Sequence, residues 1–352
     1  MILKKAGLGV LLLIGLVLML SVASHLVISY RKMADEKKRV QAYEKTTFSV
    51  QELQQDLDYF QDLLERVHPK PVFEFPINDI IPELIKLRSD IRKPMTRLAF
   101  YKQFAPVAGM LNDDHTNVYA PDLKLTVQHK TSGLFFPFEV HFIDNRIYIS
   151  KNISDEALIT IGSEIISVNS ISSKTLRETL LPYYSGTNGA QKLFYLQEDF
   201  PRALFWVYGF GDRFELVCRN ADTGEERTVT VSGKAYEKTK CNAFRYEVLS
   251  RDSILFTYNV FEDKDGTFAS FLKEMFTMAK EKNIENLIID IRQNEGGTTA
   301  YGDDIIVYLT EKPFRQLSSA AVTISKEIKA GFLDEAPSFI RWFPVQYFHP
   351  FL

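Results

Sequence analysis

Two short clusters carry the residue types that could do chemistry. The first is 111–117, Leu-Asn-Asp-Asp-His-Thr-Asn, where His115 follows two carboxylates, Asp113 and Asp114. Imidazole titrates near neutral pH, so His115 can take the proton of a weak nucleophile such as a hydroxyl, provided an acceptor fixes its other ring nitrogen. Asp113 and Asp114 are both adjacent, and adjacency does not choose between them. The second cluster is 290–297, Asp-Ile-Arg-Gln-Asn-Glu-Gly-Gly. Gly296 and Gly297 can adopt backbone conformations closed to β-branched residues. A turn built on them leaves backbone N–H groups convergent and unpaired, suited to an anion or a developing oxyanion. Taken alone, each cluster also has an ordinary structural explanation, a surface histidine and a tight strand-to-helix connection. His68, His129, His141 and His349 show no His/Cys spacing for zinc, so neither a metal nor a cofactor is expected.

The elements that position these clusters can be read from periodicity. The branched apolar run 284–291 predicts a strand buried on both faces, and 300–309 has helical spacing in Ile305, Ile306, Val307 and Leu309. A strand over 253–261 and an amphipathic helix over 266–282 precede them. Strand, helix, strand, glycine turn, helix makes a βαβα unit with a right-handed crossover and a partly parallel sheet, and ligands collect at the carboxyl ends of such strands. His115 lies just past a helix over 97–111 opened by Thr96. Before it come a helix N-capped by Ser49, with Leu53, Leu57, Phe60, Leu63, Leu64 and Val67 at helical spacing and His68-Pro69 at its end, and a second helix over 80–90.

Between the clusters the period changes to two. Phe136, Phe138, Val140 and Phe142 alternate with polar residues and Pro137, and 213–231 reads as a hairpin turning at Asp222-Thr223-Gly224. A helix is predicted over 173–181. The aromatic residues Phe194, Tyr195, Phe200, Phe205 and Trp206 are expected in a core rather than on a ligand platform.

Three strings resemble known families. Asp290 to Gly297 is similar to the D-x-R-x-N-x-G-G signature of the tail-specific, or C-terminal processing, serine peptidases, in which the glycine pair supplies an oxyanion-hole N–H. Leu111 to Thr116 resembles the L-x-D-x-H-T motif of the tricorn-like branch, which implies His115 as general base toward a serine from later in the chain. The string 161–171 resembles the G-D-E-I-L-x-I-N-G segment of PDZ domains. That resemblance implies a peptide bound as an added strand, its terminal carboxylate met by the amides of Gly133, Leu134, Phe135 and Phe136, although Phe135 stands where a second glycine is usual. No segment matches the family's nucleophile motif. Ser318-Ser319-Ala320-Ala321 lies too close to the glycine turn and runs into the alternating, strand-like 322–325, so the nucleophile is expected beyond Leu352 and the chain is expected to be an inactive fragment.

Composition sets the remaining bounds. Of 352 residues, 45% are hydrophobic and 25% charged, an ordinary globular balance. Lys4 and Lys5 precede an uncharged apolar stretch over 6–30, closed by Arg31 and Lys32. It reads as a transmembrane anchor; a signal peptide cleaved after Ser21-Val22-Ala23 is the alternative. Residues 1–39 hold seven Lys/Arg against Asp35 and Glu36, so the overall charge of −3 leaves about −8 on the remainder, which argues against a nucleic-acid partner. Cys218 and Cys241 could pair outside the cell or stay free.

The expected architecture is therefore a multidomain α/β protein. Its parts are a membrane or signal segment over 1–39, a helical subdomain over 40–130, a PDZ-like module over 131–235 and an incomplete α/β peptidase core over 236–352. The apolar N-terminal stretch makes it a single-pass membrane protein, or a secreted one, and the family resemblance implies an extracytoplasmic catalytic domain that hydrolyses protein or peptide substrates. The alternative is a non-catalytic, membrane-anchored peptide-binding protein.

Overall fold

A computed structural model describes residues 47–68, 77–121, 134–235, 242–318 and 324–329. The expected N-terminal anchor lies outside the described residues, among which no helix is long and apolar enough to cross a membrane. The chain forms two compact units, Met1–Tyr236 with Val322–Leu352, and Glu237–Ala321.

The first unit opens with three helices. α1 (Val50–Arg66) starts in a capping box, the Ser49 hydroxyl accepting the Glu52 N–H and the Glu52 carboxylate accepting the Ser49 N–H at 2.9 Å. α2 (Ile77–Asp90) and α3 (Arg97–Gly109) follow, the latter N-capped by Thr96. Leu53, Leu57 and Leu64 of α1 pack with Ile80 and Leu84 of α2 and with Phe100 and Phe104 of α3. α3 ends hard against a 3-10 turn, Leu181–Tyr183: a Cβ added to Gly109 would stand 2.2 Å from the Pro182 carbonyl oxygen. Asn112 then turns the chain through a left-handed conformation, φ 55°, into the histidine cluster.

The rest of this unit is mostly sheet. It comprises β1 (Leu134–Phe135), β2 (Phe138–Ile143), β3 (Arg146–Asn152), β4 (Glu164–Val168), β5 (Ile171–Ser172), α4 (Ser173–Leu180), α5 (Gly189–Ala203), β6 (Arg213–Arg219), β7 (Glu226–Ser232) and β8 (Lys234–Ala235). Six strands form an antiparallel sheet in the order β2-β3-β4-β6-β7 with β5 beside β4, and β1 pairs β8 separately. The expected 213–231 hairpin is β6 and β7. Phe136, Phe138, Phe200 and Phe214 fill the core, and Trp206 is buried in a π-helical turn that prolongs α5; of the aromatic stretch expected in a core, Phe200 and Trp206 are buried, while Phe194, Tyr195 and Phe205 are half-buried. Cys218 is buried and has no disulfide partner among the described residues, its thiol pushed up to about 11 by burial; Cys241 lies outside them.

The second unit contains β9 (Phe244–Val248), β10 (Ser253–Tyr258), α6 (Phe268–Glu281), β11 (Asn286–Asp290) and α7 (Ala300–Leu309). Its sheet runs β11-β10-β9, with β10 parallel to β11 and antiparallel to β9. Phe256, Tyr258, Phe268, Leu272, Met275 and Ile305 form the core. One expectation is corrected here: β11 is not buried on both faces, since Ile288 is 49% and Ile289 36% exposed. Among the described residues β11 is an edge strand with a neighbour on one side, and only Leu287 of its apolar residues packs on the core. Nor does 324–325 continue an alternating strand. Ile324 is exposed coil, and Ser325 caps a helical turn over 326–329 by accepting the Ile328 N–H at 3.2 Å.

Candidate active site

His115 is an exposed side chain, 89% accessible, on the loop that leaves α3. The choice between the two aspartates falls to Asp114. Its Oδ1 lies 2.8 Å from His115 Nδ1, whereas Asp113 Oδ1 is 3.8 Å away. A carboxylate accepts and does not donate, so Nδ1 carries the proton and, in the neutral ring, Nε2 keeps its lone pair. Nε2 is the atom that can accept a substrate or nucleophile proton.

Asp113 does different work. It is buried, its N–H donates to the Ser185 hydroxyl at 3.1 Å, and its carboxylate accepts from the His115 N–H at 3.1 Å and the Thr116 hydroxyl at 2.5 Å while His68 Nε2 stands 3.1 Å away. Burial pushes its pKa up, but those hydrogen bonds together outweigh burial and hold it below the ordinary aspartate value. Asp113 therefore fixes the loop, and Asp114 orients the ring. Asp114 is held in turn from α5, where Gln191 Nε2 donates to its Oδ2 at 2.8 Å.

The ligand atoms of Asp113, Asp114 and His115 lie within 4.8 Å of one another, close enough to consider an ion. Each of the four carboxylate oxygens already faces a protein nitrogen or hydroxyl, from His115, Thr116, His68 or Gln191. The cluster is satisfied as a hydrogen-bonded relay.

In the second unit every member of the signature has a structural task. Arg292 forks onto Asp290 at 2.9 and 2.8 Å and holds that carboxyl down to about 2, closing the end of β11. Asn294 donates from Nδ2 to the Tyr258 carbonyl and accepts the Gly296 N–H on Oδ1, both at 2.8 Å, pinning the turn to the end of β10. The Gly296 carbonyl accepts from the Phe261 N–H at 2.7 Å, and the Phe261 carbonyl accepts from the Thr298 N–H at 2.9 Å. This is a parallel bridge in which Gly297 turns its own N–H away from Phe261. Gly296 requires glycine for conformation, φ 91°, and Gly297 for close approach as well, since a Cβ there would sit 2.3 Å from the Phe261 oxygen at φ 129°. Of the pair, Gly296 has given its amide to Asn294, and Gly297 alone keeps an N–H without a protein acceptor among the described residues.

The remaining expected residues fare differently. Gly133 lies outside the described residues; Leu134 and Phe135 pair with Ala235 and Lys234, and the rings of Phe135 and Phe136 are buried, so only their backbone could meet a ligand. Ser318 is in exposed coil and Ser319 lies outside the described residues. Sequence reading passed over Gln191 and Ser185 and gave His68 no role beyond ending the first helix. Their places depend on contacts 77, 72 and 45 residues long, for which the only local hint was the polar Thr187-Asn188 cap ahead of Gln191.

Residues 255–330 match the model of peptidase family S41. Among solved structures, the chain is similar to mature CPAF complexed with lactacystin, with TM-score 0.51 and 17% identity over 73% of this chain and 59% of that one. It is also similar to a serine-to-alanine mutant of CPAF, with TM-score 0.52 and 16% identity over 72% and 58%. At such identities the likeness is one of fold, and the chain spans less than three fifths of the length of these structures. No curated protein sequence matches it. The family match is thus confined to the segment that carries β10, α6, β11, the glycine turn and α7, and there the chain is similar to peptidase family S41.

Proposed function

We propose that the chain supplies the base and the oxyanion donor of a serine-type peptidase of the tricorn-like branch, acting by acyl transfer on extracytoplasmic polypeptides from an N-terminal membrane anchor. His115 Nε2 takes the proton of a serine hydroxyl as its oxygen attacks the scissile carbonyl, and later returns that proton to the leaving amine. Water then releases the acyl group by the same route. The Gly297 N–H donates to the oxygen that becomes negative. The observation that carries the proposal is the His115 imidazole, fixed through Nδ1 by Asp114 and open at Nε2. The nucleophile serine is not assigned among the described residues.

The test is hydrolysis of a fluorogenic casein by the protein expressed from its native gene, with a fluorophosphonate probe to mark an activated serine. His115→Ala should reduce both signals by about 10²- to 10⁴-fold, the usual worth of a general base. Unchanged hydrolysis in His115→Ala would overturn the assignment of the base. Absence of hydrolysis and labelling in both forms would favour a second reading, peptide binding without catalysis by the PDZ-like module over 131–235. That reading is favoured by β2, which among the described residues is an edge strand of the antiparallel sheet and whose Phe142 N–H is met there only by the Gln197 side chain, at 3.4 Å.

A further inference from the structure

We infer that Gln191 is a positioning residue that sets the orientation of the His115 ring through Asp114. The inference rests on His115 as the base, and deepens that reading by naming what holds it. At 89% exposure the ring has little packing to fix it, so its orientation depends on the single hydrogen bond from Nδ1 to Asp114 Oδ1. Asp114 is itself a loop residue. Its second oxygen, Oδ2, accepts from Gln191 Nε2 at 2.8 Å, so the carboxylate is held at both ends.

The Gln191 amide can face Asp114 in one sense only. Its oxygen accepts both the Thr187 N–H at 2.8 Å and the Thr187 hydroxyl at 2.5 Å, which turns the NH₂ toward the carboxylate. The backbone is equally constrained: the Gln191 N–H donates to Asn188 Oδ1 at 2.9 Å, and Asn188 is the N-cap of α5. Nε2 also reaches the Tyr195 hydroxyl at 3.2 Å, one turn along the helix. Position therefore passes from the first turn of α5 through a directed amide and a two-ended carboxylate to an imidazole 76 residues earlier in the chain, and the end of this relay is an exposed Nε2. A hydrophobic residue at 191 would leave Asp114 Oδ2 to water and free the carboxylate to turn.

The readout is the tautomer of His115, which a role confined to folding would not move. In the full chain labelled with ¹⁵N-histidine, long-range ¹H–¹⁵N spectra of the neutral ring should show the Nδ1–H form. Gln191→Leu should shift the tautomer ratio toward Nε2–H by roughly tenfold, the orienting worth of one charge-assisted hydrogen bond. Backbone amide shifts of α5 verify that the helix persists. Thr187→Val, which removes one of the two donors that direct the amide, should give a smaller shift in the same sense and serves if Gln191→Leu does not fold. An Nε2–H tautomer in the parent protein, or a ratio unmoved in both folded variants, would overturn the inference. A tautomer shift in a protein whose hydrolysis ignores His115→Ala would sustain the clamp while removing the base.

Discussion

In the first unit the proposed base is an exposed ring whose place is borrowed from far along the chain. Asp113 is tied to His68 and Ser185, and Asp114 to Gln191, over sequence separations of 45, 72 and 77 residues. In the second unit the proposed oxyanion donor is a backbone amide, and most of what fixes it lies within eight residues: the Asp290–Arg292 fork, the Asn294 to Gly296 bond, and two glycines at positive φ. A side chain that must move a proton needs its neighbours to choose its tautomer, and those neighbours can come from any element. An amide that must only point needs a turn, and a turn is local. The first site should therefore fail by loss of side-chain partners, the second by loss of backbone room.

Gly297→Ala tests that contrast most severely. Its Cβ would meet the Phe261 carbonyl in a conformation that L side chains avoid, so overpacking and backbone strain together should cost about 4 kcal/mol of the second unit's stability. Chemical denaturation of the full chain would measure it. Next comes Asp113→Ala, which strips an acceptor from His115 N–H, Thr116 and His68 and should destabilise the first unit by about 3 kcal/mol. Because the folded pKa of Asp113 is depressed, its contribution is fully present above the ordinary aspartate value and is lost as pH falls through the folded value. A titration of stability from pH 6 downward should therefore show an acid limb that Asp113→Asn flattens. Asn294→Leu should cost about 2 kcal/mol by orphaning the Tyr258 carbonyl and the Gly296 amide. Gly296→Ala, with open space around the new Cβ, should cost only about 1 kcal/mol for its conformation. A loss equal to that of Gly297→Ala would erase the distinction drawn between the two glycines. The smallest expected effect is that of a chelator: EDTA should leave the thermal midpoint unchanged, and a fall would mean that Asp113, Asp114 and His115 hold an ion rather than a relay.

The same contrast explains what the amino-acid sequence disclosed. Helices announced by a cap and a period were legible: Ser49 and Thr96 stand at the starts of α1 and α3, and 300–309 is the helix expected. The glycine turn was legible because Asn294, Gly296 and Gly297 act on one another. Which aspartate faces His115 was not, because that depends on the left-handed turn at Asn112 and on an amide from α5. The expectation of a doubly buried β11 failed for a related reason. An apolar run reports that a strand is suited to burial, and whether something covers it is decided by elements elsewhere.

That strand, uncovered among the described residues, bears on how the protein behaves in a test tube. Among the described residues Ile288 and Ile289 stand exposed on a β11 edge that no strand pairs, Ile291 is exposed just past it, and β11 itself holds no proline or lysine to discourage a second strand from joining it. Concentrated solutions should thicken into edge-to-edge aggregates, at a rate that climbs steeply with protein concentration. Ile288→Lys, placed on the exposed edge, should slow the rise in light scattering while leaving the Phe256 and Leu272 core beneath it intact.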